Sequence, residues 1–566
     1  MKRLFITASF LASFGFAFAQ ETKGDNDLKT WYHKDFATTS VYGVNTDNAY
    51  KFLESKGLKP RAVVVGVLDS GVEIDHPGLA KNMWKNPGEV PNNGIDDDGN
   101  GYVDDVYGWN FIGGKNGDID ADNLEVTRMV KKYQDVFEGK DSQKNKVNQA
   151  QMPEEYEMYQ KSKKIFDEKA NEARKNYQFF QGFSDAIPAI VATLGGKNLT
   201  AETLDAIKPT SAETMRNLQI LGSLIQNPKN VGKTPKEVEE ALNEEVKDAL
   251  KHYKSQATQH YNLDFDPRAE IVGDDYENYN EKHYGNNNYE GPDASHGSHV
   301  AGIIAGLPHG DEVQYGVAHK VAKIMAVRTV PDGDERDKDV ANAIRYAVDN
   351  GAKILNMSFG KAVSPGKKHV WDAMKYAEDK GVLLVKAAGN DNHNIEIHEY
   401  FPTNFKTQKD EKPFINNMIV VGASTNDSEL LRAEFSNYNG KMVDVFAPGK
   451  EIYSAIPDGK YAYYPGTSMA SPMVAGAAAV LWAYMPNLTA TQIKEALVKT
   501  ANKSTVNAMI DSNENNRFDL ISVAGGVIDL YKAAQYAYDN FYKAEAKKKA
   551  KKSYHCRKAK YRKSRK

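Results

Sequence analysis

The sequence predicts an α/β domain, a mostly parallel sheet flanked by helices, that carries a large helical insertion. Three observations lead there. RAVVVGVLD, from Arg61, is continuously apolar and β-branched, the composition of a strand buried on both faces, and VAKIMAVRTV, ILNMSFG, VLLVKAAGN, MIVVGAS and VDVFAPG repeat that character. Helical patterns such as DVANAIRYAVDNG and HVWDAMKYAEDKG lie between some of these runs, which is the alternation that builds a parallel sheet with crossover helices. Between residues 117 and 288 the alternation stops, and segments such as YEMYQKSKKIFDEKANEARKNYQFF and TPKEVEEALNEEVKDALKHYKSQ show amphipathic helical spacing in a polar background.

Taken in order, Lys2 and Arg3 precede a short apolar run ending in Ala17-Phe18-Ala19. That is the pattern of a signal peptide, residues 1–19, cut before Gln20. Residues 20–60 are expected to form an N-terminal segment, residues 61–116 and 289–540 the two parts of the sheet domain, and residues 117–288 a satellite helical bundle. Residues 541–566 read as a basic, disordered tail: thirteen Lys and Arg fall between Lys543 and Lys566, with almost no apolar periodicity. No stretch after the leader is long and uncharged enough to span a bilayer.

The chain has 566 residues, 41% of them apolar, enough for at least one large core. Its formal net charge of −3 names no partner, because basic residues crowd the tail. The single cysteine, Cys556, excludes an intramolecular disulfide framework and makes a cysteine nucleophile a poor candidate. The expected location is secreted or periplasmic.

Ligands of open α/β sheets bind outside the carboxyl ends of the strands, and the chemistry-bearing residues are sought there. Asp69 closes the RAVVVGVLD strand, where a carboxylate can orient a cationic partner; an Asp there is also an ordinary turn residue. His296 and His299 open HGSHVAGIIAG, a small-residue helix that can pack closely on a sheet. Their i, i+3 spacing, with no Glu between, departs from the helical zinc pair. Ser468 and Ser471 both fall near the start of a second small-residue helix in GTSMASPMVAG, and a serine there is often only a cap. Asn390 ends VLLVKAAGN after a glycine, a position from which an amide can donate to an oxyanion.

Together LDSG, HGSHVAG, AAGN and GTSMASPMVAG, in that order, resemble the signatures of the subtilisin-like serine peptidases, the subtilases. The resemblance covers roughly residues 61–115 and 290–535. It implies Ser468 as nucleophile, His296 as general base, Asp69 as the residue orienting the histidine, and Asn390 with the Ser468 N–H as oxyanion hole. It further implies that Ser358, Phe359, Gly360, Ala388 and Gly389 wall an extended substrate. Three departures stand out: Ser298 replaces the usual threonine, the insertion separates Asp69 widely from His296, and too few residues precede the first strand for a folded pro-domain.

Asp96, Asp98, Asn100, Tyr102 and Asp104, with Gly101 at the sixth position, match the opening of a calcium loop, although Tyr107 stands where a bidentate glutamate is expected. Calcium is the expected, structural cofactor. Asp511, Asn513 and Asn515 are a weaker echo, and Gly78 replaces a carboxylate that serves another calcium site in the family. The expected function is an exported serine endopeptidase acting on protein or peptide substrates, without nucleic acid. The competing reading is a catalytically silent scaffold of the same fold that binds partners through its insertion.

Overall fold

A computed structural model describes residues 25–510 and 516–543. The signal-peptide reading, the Asp511 echo of a calcium loop and all but the first residues of the basic tail lie outside these.

The strands are β1 (Val63–Asp69), β2 (Gly108–Asn110), β3 (Gly113–Gly114), β4 (Gly117–Asp118), β5 (Ala322–Arg328), β6 (Ile354–Met357), β7 (Leu383–Ala387), β8 (Met418–Ser424), β9 (Val445–Pro448), β10 (Ile452–Ile456), β11 (Lys460–Tyr464), β12 (Asn502–Lys503) and β13 (Gly526–Val527). Nine form one sheet in the order β12-β13-β9-β8-β7-β6-β1-β5-β2. Every pairing is parallel except β12 with β13. The expected strands are all present. β1 and β8 are buried along almost their whole length, as strands covered on both faces must be.

One face packs on the helices Ser295–Ala305 and Thr467–Tyr484, in a core that includes Val65, Val67, Ile303, Ile304, Met473 and Val480. The other face carries Asp337–Asp349 and Lys367–Asp379 over Leu68, Met325, Leu355 and Leu384. Thr467–Tyr484 is buried around its full circumference, which its unbroken run of small and apolar residues permits. Among the described residues no helix is long and apolar enough to cross a membrane.

Two boundaries differ from expectation. The N-terminal segment is woven into the sheet domain from Lys29 onward: Lys29 pairs with Glu312, and Trp31, Tyr32, Val44, Ala49, Tyr50 and Leu53 join the first core. Trp31 Nε1 donates to Glu451 O at 3.1 Å, and Asn45 Nδ2 to Asp529 Oδ1 at 3.2 Å. These apolar residues are dispersed over two dozen positions, and they find a common partner only in three dimensions. The insertion is also shorter than residues 117–288. Residues 117–124 and 272–288 belong to the sheet domain through an Ala121–Asp332 bridge, an Asn110–Asn286 bridge and a 2.8 Å bond from Trp109 Nε1 to Tyr284 O.

What remains is helical, as expected, and dominated by the 40-residue helix Pro153–Ala192. Its far end, with Ala212–Leu224 and Pro235–Ser255, encloses a separate core of Ile187, Ile190, Leu194, Leu221, Val238, Leu242 and Val246. A capping box, Thr234 with Glu237, starts the last of these helices.

Candidate active site

β1 is the strand at which the sheet order reverses, since β5 lies on one side of it and β6 on the other, and Asp69 is its last residue. A topological switch point of this kind leaves a crevice at the carboxyl ends. Asp69 is 1% exposed. Its Oδ1 accepts from the Ser70 N–H at 2.8 Å and lies 2.6 Å from His296 Nδ1. A carboxylate only accepts, so Nδ1 carries the proton and the Nε2 lone pair is left as the basic site.

His296 sits in the first turn of Ser295–Ala305. That helix reaches the β1 turn only because Gly297 has no side chain: a Cβ there would lie 2.0 Å from Gly71 O. Gly71 is itself at φ +127°, with the Glu290 carbonyl 2.1 Å from where its Cβ would be. Ser298 Oγ accepts from the Glu73 N–H at 2.9 Å, so the hydroxyl kept at this departure from the family pattern holds the same turn. Burial disfavours the imidazolium, but the Asp69 carboxylate and its hydrogen bond outweigh burial and raise His296 above the ordinary histidine value.

His299 is fully buried, bonds Ala462 O through Nε2 at 3.0 Å and stacks on Tyr464. Burial lowers its pKa to about 3. It is a neutral packing residue with its Nε2 already committed.

Ser468 follows Gly466, at φ +151°, in the first turn of Thr467–Tyr484. Its hydroxyl donates to Ser358 O at 3.0 Å, and Ser358 Oγ donates back to Ser468 O at 2.8 Å. Ser471 is fully buried and donates to Asn356 Oδ1 at 2.8 Å. Of the two serines, Ser468 is the less buried, 9% exposed against 0%.

Asn390 is exposed, beyond the end of β7. Its Oδ1 accepts from both the N–H and the hydroxyl of Thr467, each at 2.9 Å. Because a backbone N–H can only donate, the oxygen must face Thr467, and the amide NH2 is free to donate elsewhere. Thr467 Oγ1 also accepts from the Gly389 N–H at 3.1 Å. Asn437 braces the loop from behind: its Nδ2 donates to Ala388 O at 3.0 Å, and its Oδ1 accepts from the N–H groups of Asp391 and His393 at 3.1 and 2.8 Å.

Ser358, Phe359 and Gly360 continue β6, and Ala388 and Gly389 continue its neighbour β7. Tyr400 fills the space between the two walls; a Cβ on Gly360 or Gly389 would lie 2.5 or 2.9 Å from its ring. Beneath it the Lys386 ammonium is 4.2 Å from the ring centroid. Burial lowers the pKa of Lys386 to about 7.

The acidic loop is rearranged relative to expectation. Asp96 and Asp98 come together with Glu89, their oxygens within 4.8 Å of one another. Asp104 lies outside this group and accepts from the N–H groups of Asn93 and Gly94 at 3.1 and 2.8 Å. Asn100 uses its amide on Asp98 and Asp105, and the Tyr102 hydroxyl donates to Lys282 O. Glu89 is 8% exposed, and its Oε2 has no partner among the described residues.

Thr467, Asn437, Tyr400 and Glu89 were not found by sequence reasoning. Thr467 lies inside the serine motif and Glu89 just upstream of the acidic loop. Tyr400 and Asn437 are loop residues that no local pattern distinguishes.

A mostly parallel sheet with an aspartate–histidine pair at the carboxyl end of its switch-point strand is the frame on which one class of serine peptidase is built. The model of the subtilase family matches residues 60–520, and the chain belongs to that family. It is 36% identical over 242 residues to thermitase of Thermoactinomyces vulgaris, covering 43% of this chain and 75% of thermitase. It is 39% identical over 219 residues to the thermophilic serine proteinase of Bacillus sp. (strain AK1), covering 38% and 49%. With the cell wall-associated protease of Bacillus subtilis (strain 168) it shares 34% over 236 residues, 42% of this chain and 24% of that protein. The alignments thus span about half of the AK1 proteinase and a quarter of the cell wall-associated protease.

Proposed function

We propose that the protein is an exported serine endopeptidase that cleaves peptide bonds through an acyl-enzyme on Ser468. The observation that carries this reading is the 2.6 Å Asp69–His296 contact at the switch-point crevice, which leaves Nε2 basic. His296 takes the Ser468 proton as the hydroxyl attacks the scissile carbonyl and returns it to the leaving amine. Asp69 fixes the tautomer and stabilises the imidazolium. The free amide of Asn390 and the Ser468 N–H receive the oxyanion, a donor pair held in advance by Thr467 and Asn437. The substrate runs extended along residues 358–360, with one side chain directed between the walls toward Tyr400.

His296 works as a base only when neutral. Its raised pKa therefore puts the rise of kcat/KM above pH 6.5, the ordinary histidine value. The test is a fluorophosphonate probe applied to wild type and Ser468→Ala. Labelling of the wild type alone is expected; labelling of both, or continued hydrolysis by the variant, removes Ser468 from the mechanism.

Calcium fits the Glu89, Asp96 and Asp98 group, because three clustered carboxylates and an orphaned buried oxygen suit a hard cation. Bound there, calcium supplies charge compensation that stiffens the loop of residues 86–106. Isothermal titration with calcium, on wild type and Glu89→Gln, tests this: micromolar binding lost in the variant is expected, and identical titrations exclude the site.

A further inference from the structure

β5 and β6 pair with the two edges of β1 and not with each other. Where β1 stops at Asp69, their continuations flank a slot one strand wide. Neighbouring strands lie about 4.8 Å apart, so the slot is roughly 10 Å across and suits one extended peptide pairing on both sides.

The insertion and the segment leading into it grip both rims of this slot. On the β5 side, the Asp122 N–H donates to Asp332 O at 3.0 Å and the Asp332 N–H to Asp120 O at 2.8 Å. The Glu125 N–H donates to Asp334 Oδ2 at 2.8 Å, and Arg336 forks onto the Asp122 carboxylate at 2.7 and 3.0 Å. On the β6 side, Lys361 Nζ lies 2.8 Å from Glu125 Oε2 and 3.0 Å from Asp337 Oδ1, and it donates to Glu335 O at 2.7 Å. One ammonium thus ties the first inserted helix, Glu125–Phe137, to both rims. From the 40-residue helix, Lys161 Nζ donates to Ala362 O at 2.9 Å and pairs with Glu399 at 3.0 Å.

The Lys361 group is almost fully buried, with Glu125 1%, Asp337 2% and Lys361 3% exposed. Arg128 completes it with a 2.7 Å bond to Glu125 Oε2. Buried charges of this kind hold their geometry only as a complete set, since removing one member strands the others. Burial opposes the Lys361 ammonium, and the Asp337 and Glu125 carboxylates overcome it.

We propose that the insertion is the positioning frame of the substrate slot: through Glu125–Lys361 and Lys161–Ala362 it sets the spacing of the rims. It thereby sets affinity for peptide residues three and four positions from the scissile bond. The positions follow from distance. Ser358 touches Ser468, and Lys361 lies three residues farther along the rim, about 10 Å at the rise of a strand. Glu125, Lys161 and Lys361 touch no reacting atom; they are positioning residues. The inference rests on reading residues 358–360 as a substrate wall.

The test uses the full chain and two peptide amides, with two and with four residues on the acyl side. Values of kcat and KM are compared for wild type, Glu125→Gln and Lys161→Ala, with the fluorophosphonate labelling rate as a second readout. For Glu125→Gln, KM for the longer peptide is expected to rise about tenfold, with kcat, the shorter peptide's KM and the labelling rate within twofold. Lys161→Ala, at a half-exposed contact that does not threaten folding, is expected to give about a threefold rise with the same selectivity. KM values that change equally for both peptides, or for neither, in Lys161→Ala and in any folded Glu125→Gln defeat the inference while leaving the peptidase reading intact. A wild type that is neither labelled nor hydrolytic defeats the peptidase reading itself.

Discussion

The crevice and the insertion are held in place by different physics. At the crevice, position comes from close approach: Gly297 against Gly71, and the small-residue helix Thr467–Tyr484 against the sheet, with short bonds linking neighbours in space. The end of the insertion, with the segment of residues 272–288 that follows it, is docked by buried charge. Arg268 forks onto Asp339 at 2.7 and 2.8 Å and onto Asp274 at 2.9 Å through two nitrogens, while Lys338 pairs with Asp274 and Glu281, each at 2.7 Å. Close packing around glycine tolerates no added atom. An ion network tolerates no missing partner. The two regions should therefore fail differently, one in chemistry at intact stability, the other in stability or substrate affinity at intact chemistry.

The largest effect belongs to the crevice. Asp69→Asn is expected to lower kcat about 10⁴-fold, because the amide no longer enforces the tautomer with Nε2 free. It also removes the carboxylate that raises His296, leaving burial, which lowers it. The rise of residual kcat/KM with pH should therefore move toward lower pH, while the melting temperature changes little. A pH profile that keeps its wild-type midpoint would mean that Asp69 does not govern the histidine.

Next comes the insertion. Arg268→Met strands the buried carboxylate of Asp339, while Asp274 keeps Lys338, and should destabilise the protein by about 3–5 kcal/mol. Chemical denaturation gives this number, and the fluorophosphonate labelling rate of the folded variant should stay near wild type. A variant with unchanged stability would show that the network is not what docks residues 268–274, and would erase the contrast between the two regions.

Asn390→Ala removes one oxyanion donor, so kcat should fall by about 10²–10³ with KM nearly unchanged. Thr467 loses the acceptor for its N–H, but that group lies in the first turn of its helix, where water can replace the partner. An equal loss in KM would indicate that Asn390 binds the ground state.

The contrast also explains what was legible in the sequence. The strands around β1 and β8 announced themselves, because buried parallel strands are continuously apolar; local spacing left Ser468 beside Ser471 and His296 beside His299, and the resemblance to the subtilases chose between them. The partners of Lys361 were not legible. A lysine, a glutamate and an aspartate separated by up to 236 residues look like surface charge until the fold brings them together. The grouping of Glu89 with Asp96 and Asp98 was likewise not legible, nor were the bonds that Asp104 accepts from the N–H groups of Asn93 and Gly94. A loop's side chains follow its backbone angles, and spacing alone does not encode them.

The smallest effect concerns Tyr400, which stands between the wall glycines where neither local pattern nor charge marked it. Its ring closes the space between Gly360 and Gly389 and covers the Lys386 ammonium. Tyr400→Ala should shift preference at the residue preceding the scissile bond toward larger apolar side chains. The expected gain is about 10–200-fold in relative kcat/KM, the scale of pocket discrimination between apolar groups. Removing the ring also admits water to Lys386, so its pKa, held at about 7 by burial, should rise. At pH 8 the variant then carries a cation in the slot that the wild type mostly lacks, and acidic side chains should gain at that pH more than at pH 6. A peptide-library profile of the two proteins at both pH values reads this directly. If the profile is indifferent to Tyr400, the space between the walls does not receive the substrate side chain. The crevice would then owe its selectivity to the rims that the insertion holds.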